Sequence, residues 1–243
     1  MWRYDLRSIF YIALKDMKTY YLKPPSLSWG IVFPITWILA FYLRNPQNFD
    51  QLVPGLIAMT ILFSTTAAEA VVINFELRVG SLERLLLTPT SFQAVLLGKV
   101  IGGAIFGLMM TIVVTAGCIL ALRLYYVNLI YLVLIVVPSL LVFSSLGALM
   151  CVLVKEVFEA QTLLNLPRFI MVFLSGVIYP VSAMPLLLQY IAYLMPLTYT
   201  VHGLQQTFSS SPSNLIFVDV LLLLGFFLIF VLPAIKLLQR KFV

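Results

Sequence analysis

The chain has 243 residues, 62% of them hydrophobic and only 10% charged, with a mean hydropathy of +1.07. A soluble domain carries about 25% charged residues, so a water-soluble globule is excluded. The formal net charge of +6 sits in short segments between apolar runs and needs no nucleic-acid partner to explain it.

Residues 1–23, MWRYDLRSIFYIALKDMKTYYLK, intersperse charges throughout and lack a small-residue cleavage site, so they are not expected to be a secretory leader. Leu6, Ile9, Phe10, Ala13, Met17, Tyr20 and Tyr21 recur at helical spacing, with Arg3, Arg7, Lys15 and Lys18 off that stripe. The pattern predicts an amphipathic helix lying in the membrane interface with its basic residues toward the headgroups. Pro24 and Pro25 end it.

Six runs then have the length and apolarity of membrane-crossing helices, at 26–43, 52–74, 94–122, 129–154, 163–179 and 214–238. They read as one all-α domain over 1–243, without internal repeat or linker. Within the second run, Ser64, Thr65 and Thr66 either face a passing solute or bond to the preceding helical turn. Glu69 is the one acid well inside a run, and a nearby hydroxyl or Arg is its expected partner.

The stretch RVGSLERLLLTPTSFQAVLLGK, residues 78–99, is charged and lies between two apolar runs. Gly80 punctuates it, Ser81 can cap a short helix, and Leu82, Leu85 and Leu86 share one face while Glu83 and Arg84 point elsewhere. Pro89 stops the helix, and Thr90 or Ser91 can cap the next one. A helix of one or two turns over 78–93 suits either docking into a groove on a soluble partner or an interfacial turn that lays three leucines on lipid.

Gly98, Gly102, Gly103 and Gly107 form overlapping pairs four apart, permitting close helix packing within the subunit or, alternatively, an oligomer face. Cys118 and Cys151 fall inside apolar runs and read as small core residues, not as a disulfide. Arg168 opens the fifth run and is expected to reach back to the interface. Pro180, Pro185 and Pro196 break the segment 180–213, which reads as a re-entrant hairpin on the outer side. His202 has no metal-type partner near it in sequence, so no metal site is expected.

With six crossings and both ends on one side, that side collects Arg3, Arg7, Lys15, Lys18, Lys23, Arg78, Arg84, Lys99, Lys155, Arg168, Lys236, Arg240 and Lys241. The other side keeps Arg44 and Arg123. Lys and Arg accumulate in cytoplasmic loops, so both termini and the 78–99 stretch are expected in the cytoplasm. Eight tyrosines, Tyr42, Tyr125, Tyr126, Tyr131, Tyr179, Tyr190, Tyr193 and Tyr199, then fall at the outer level. They form an aromatic belt or an exit lined by rings.

Two motifs carry a family resemblance. In LRVGSLERLLLTPTSFQAVLLGKV, residues Gly80, Ser81, Leu82, Glu83, Arg84, Leu85, Leu86, Thr88, Pro89, Ser91, Gly98 and Lys99 match the cytoplasmic signature of ABC-2 type transporter permeases. Upstream, Glu76 fits, while Leu77 stands where a basic residue is common. FLSGVIYPVSAMPLLLQYIAYLMPLTYTVHGLQQ, residues 173–206, resembles the second signature of the same permeases, similar to their daunorubicin and multidrug-resistance group.

The resemblance implies a multi-pass inner-membrane subunit of an ATP-driven exporter, working by alternating access as a homodimer or beside a close paralogue. Ser81, Leu82, Glu83, Arg84, Leu85, Leu86 and Pro89 would form a coupling helix docked on a separate ATPase, which would hold the ATP and Mg²⁺. This chain has no catalytic residue or metal of its own in that scheme, and its GKV at 98–100 lacks the flanking residues of a phosphate loop. The first and fifth spans meet across the path in this family, which makes Phe33, Trp37, Phe41, Phe169, Phe173 and Tyr179 the lining residues for an amphipathic drug, lipid or glycan. An ion-coupled secondary transporter needs inverted repeats and buried coupling acids, and only Glu69 is available. A non-transporting scaffold has no need of the 78–99 motif.

Overall fold

A computed structural model describes residues 2–22, 32, 35, 36, 39, 49–88, 90–122, 127–154, 157–209 and 215–242. The expected first span, with Phe33, Trp37 and Phe41, lies outside them apart from four isolated positions, and so does Pro89. Among the described residues every regular element is helical. They are α1 (Trp2–Asp16) with a π-helical turn at Met17–Tyr21, α2 (Phe49–Val79), α3 (Ser81–Leu86), α4 (Phe92–Leu122), α5 (Leu129–Leu153), α6 (Val157–Leu174), α7 (Leu186–Tyr193), α8 (Pro196–Thr207) and α9 (Ile216–Phe242).

Among the described residues, four helices are long and apolar enough to cross a membrane: Leu52–Val79, Phe92–Leu120, Leu129–Leu153 and Ile216–Lys241. α5 lies at the centre, packed on α2, α4, α6, α8 and α9. Its start is fixed by Asn128, whose side chain accepts from the N–H groups of Ile130 (3.1 Å) and Tyr131 (3.3 Å). The Asn128 N–H donates to the Thr207 carbonyl at the end of α8. At the other end, Lys241 of α9 donates to the carbonyls of Val152 and Val154. Both ends of the central helix are thus tied to neighbours.

α6 starts earlier than expected and stops five residues short of 179, because Gly176 takes a left-handed conformation (φ 84) and turns the chain. Its 18 residues span about 27 Å. Beyond it, Pro180 and Pro185 precede short helical pieces and Pro196 opens α8. Thr198 donates to the Ala192 carbonyl (2.5 Å) and Tyr199 to the Tyr193 carbonyl (2.6 Å), which staples α7 to α8. With 8 and 12 residues, at about 1.5 Å each, neither helix crosses a bilayer. The prolines thus divide this apolar segment into short helices.

α1 departs from its expected single apolar face. Ile12, Ala13, Met17 and Tyr21 are buried, whereas Leu6, Phe10 and Tyr11 are exposed. The buried side lies on α4, where a methyl group at Gly98 falls 2.9 Å from Ile12 Cβ and one at Gly102 falls 3.3 Å from Ala13 Cα. On another face of the same helix, a methyl group at Gly103 runs into Glu69 and one at Gly107 into Thr65 and Leu140. The small residues of α4 therefore admit α1 on one side and α2 with α5 on the other, which is packing within the subunit.

Candidate functional site

Three polar constellations interrupt this apolar bundle, and the largest closes the end that carries α3. Lys15 and Asp16 arrive on α1, Glu76 on the last turn of α2, and Lys99 on the second turn of α4. Lys99 Nζ lies 2.5 Å from Glu76 and 3.3 Å from Asp16. Lys15 lies 3.1 Å from Asp16 and also pairs with Glu76. Two cations and two anions alternate, each acid bridging both lysines. Asp16, Glu76 and Lys99 are buried, and Lys15 is half-buried. Burial alone would lower the Lys15 ammonium, but Asp16 and Glu76 beside it outweigh this and raise it above its ordinary value. At Asp16 burial prevails over attraction to Lys99, holding the carboxyl above its ordinary range.

α3 grows directly from this joint. Gly80 occupies the N-cap in a left-handed conformation (φ 70) that turns the chain out of α2. Ser81 was the expected cap. Instead it is the first helical residue, and its hydroxyl donates at 3.5 Å to the carbonyl of Glu76, an acid of the joint. Ser91 does cap α4, accepting from the Ala94 N–H at 3.1 Å.

The leucines of α3 also sit differently from the expected docking face. Leu82 is 1% exposed and packs with Ile12, Ile73, Leu96 and Leu164 in the chain's own core, with Leu85 and Leu86 leaning on the same cluster. The surface that remains open consists of Glu83, Arg84, Thr88 and Leu87, the last 87% exposed. Helical spacing separates the apolar face from the polar one but does not say whose atoms cover it.

The second constellation lies deeper. Ser144 donates to Glu69 Oε1 at 2.9 Å, so a hydroxyl is indeed the partner of this acid. Ser64, Thr65 and Thr66 each bond back one turn along α2. Arg168 does not reach the interface as expected. It is 3% exposed, donates from Nε to Thr66 at 2.8 Å and from Nη1 to Asn165 at 3.1 Å, and stands 5.5 Å from the Phe63 ring centre. Beside it, Phe169 and Phe173 face outward one turn apart on α6, with Tyr179 exposed beyond the Gly176 turn.

The third constellation is at the opposite end, where His202 Nδ1 of α8 lies 2.7 Å from Asp219 Oδ2 of α9. The hydrogen bond that the His202 ring donates to Asp219 raises its pKa above the ordinary 6.5, against a smaller opposing effect of burial. A raised value means stabilisation that is full below about pH 6.5 and is lost as pH rises through the higher folded value. The melting difference between the native protein and His202→Gln is therefore expected to be larger at about pH 5.5 than at about pH 9. With His202 41% exposed, the effect stays below about 1 kcal/mol. An equal difference at both pH values would show that the pair carries no charge coupling.

Sequence reasoning placed Lys15, Lys99 and Arg168 among charges that mark a membrane side, whereas all three turn inward. The available signal was Asp16, an acid three residues from Ala13 and one from Met17 on the buried side of α1. An acid on an apolar stripe demands a cation from another helix.

The profile of the ABC-2 type transporter family matches residues 7–209. The chain belongs to that family. Among similar proteins, the "Probable multidrug ABC transporter permease YbhS" of Escherichia coli K12 is 28% identical over 182 residues, covering 72% of this chain and 48% of that protein. The chain thus spans about half the length of that relative. The "Inner membrane transport permease YadH" of the same strain is 27% identical over 197 residues, 77% of this chain and 75% of its own. The "Putative transport permease ycf38" of Cyanophora paradoxa is 26% identical over 223 residues, 84% and 74%. Within this ABC-2 chain, both signature segments fall on short helices, α3 at one end of the bundle and α7 with α8 at the other.

Proposed function

We propose that this chain is the membrane subunit of an ATP-driven exporter, with α3 as the helix that receives motion from a separate ATPase. The observation that carries the reading is α3 itself: a short helix rooted in the bundle by Leu82, with Glu83, Arg84 and Leu87 projecting outward. ATP and Mg²⁺ belong to the partner subunit in this scheme, and both termini lie on the same cytoplasmic side as α3.

Force applied to α3 enters α2 through Gly80 and α4 through the Lys99–Glu76 pair. Because Asp16 also holds Lys99, α1 moves with them. The unit α1–α2–α4 then shifts against α6, whose exposed Phe169 and Phe173 line the cargo path together with Tyr179. Phe33, Trp37 and Phe41 of the expected first span are assigned to the same path in this reading. Alternating access between two such bundles moves an amphipathic drug, lipid or glycan-type molecule out of the cytoplasm.

The test is copurification of the cognate ATPase, followed by ATP-dependent uptake into inverted vesicles. Combined Glu83→Ala, Arg84→Ala and Leu87→Ala is expected to reduce ATPase retention about tenfold or more, with an unchanged melting profile. Each exposed charge alone contributes about 1 kcal/mol or less, roughly fivefold. Full retention and full uptake in the triple variant would leave α3 as an interfacial turn.

A further inference from the structure

Arg168 is not used by the coupling scheme. It lies eleven residues into α6, about 16 Å along the axis, far from the helix start. Its guanidinium is buried, yet every hydrogen-bond partner is neutral: Thr66 on Nε, Asn165 and Gln161 (3.4 Å) on Nη1. Nη2 has no hydrogen-bond partner among the described residues. None of the ion pairs among the described residues includes Arg168. A desolvated cation without a counter-ion is costly. The missing element is an anion.

We propose that Arg168 recognises the carboxylate or phosphate of an amphipathic molecule, whose apolar part lies along Phe169 and Phe173. A planar fork with one donor already free suits a two-oxygen acceptor. Asn165 is exposed and Gln161 half-buried, so the guanidinium is one amide layer from the outer surface of α6. Displacing that layer brings an anion onto both Nη1 and Nη2 without opening the bundle. The inference rests on the reading of α6 as the cargo-facing helix.

The experiment uses the purified permease–ATPase complex in neutral detergent and three photoactivatable probes: a long-chain carboxylate, the matching alkyl phosphate, and the neutral methyl ester. The native complex is expected to be labelled on α6 or around Phe63 by either anion at least about tenfold more than by the ester, the factor a charge-assisted hydrogen bond carries. Arg168→Gln brings the anions down to the ester level, and Arg168→Lys retains part of the preference. The unfolding midpoint of Arg168→Gln stays unchanged or rises, because a costly buried charge is gone. A purely structural arginine predicts the reverse, a lower midpoint with anion and ester labelling falling together.

Excess phosphatidylglycerol displaces the label if a lipid headgroup is the source of the anion, and leaves it if the free amphiphile is. Equal labelling by acid and ester in the native complex, or an intact preference in Arg168→Gln, overturns the proposal. Failure of the transport reading shows separately, as absent ATP-dependent uptake of all three amphiphiles while labelling persists.

Discussion

Lys99→Met is expected to lower the free energy of unfolding by about 3–5 kcal/mol, the range for removing one member of a buried ion network. Two acids share this ammonium, and both are buried. Without it, Asp16 and Glu76 face each other with only half-buried Lys15 between them. Adding Asp16→Asn and Glu76→Gln to Lys99→Met should recover most of the loss, since neutral groups of similar shape no longer need the cation. Lys15→Met, with its head partly in solvent, should cost about 1 kcal/mol. Denaturant titration in mild detergent measures all three variants against the native protein. A Lys99→Met loss below about 1 kcal/mol would mean that water or detergent already compensates the acids.

The second large effect is expected at Leu82. Its side chain is 1% exposed against the roots of α1, α2 and α4, so Leu82→Ala should cost about 2–5 kcal/mol. Leu87→Ala, at 87% exposed, should stay within about 0.5 kcal/mol of the native stability. The two leucines therefore separate holding the helix from offering it. Equal melting of both variants would contradict the placement of Leu82 in the core.

Local chemistry made much of this fold legible. Apolar length located α2, α4, α5 and α9, the serine at 91 marked the start of α4, and three prolines marked where the late apolar segment breaks into short helices. Short-range bonds such as Ser64 to Thr60 follow from spacing alone. What stayed hidden depends on partners far along the chain. Arg168 meets Thr66 across 102 residues and Lys99 meets Asp16 across 83. Nothing in either neighbourhood distinguishes a charge that reaches water from one that turns inward. The leucines of α3 posed a related difficulty. Lipid is as apolar as a protein core, so an amphipathic pattern cannot say which of the two covers Leu82. The expected span at 163–179 ended early because a single glycine, Gly176, outweighed the apolar run around it.

The 83 residues between Asp16 and Lys99 also set an order of assembly. At about 5–20 residues per second, the ribosome needs about 4–17 s to pass from one to the other. During that wait the buried partner Lys99 and the glycines that receive α1 do not yet exist. Leu6, Phe10 and Tyr11, which remain exposed in the finished fold, give the waiting segment an apolar side with which to rest on the bilayer surface. Only when the stretch bearing Gly98 and Lys99 has been made can the segment settle against it. α1 is set in place by the later-made α4.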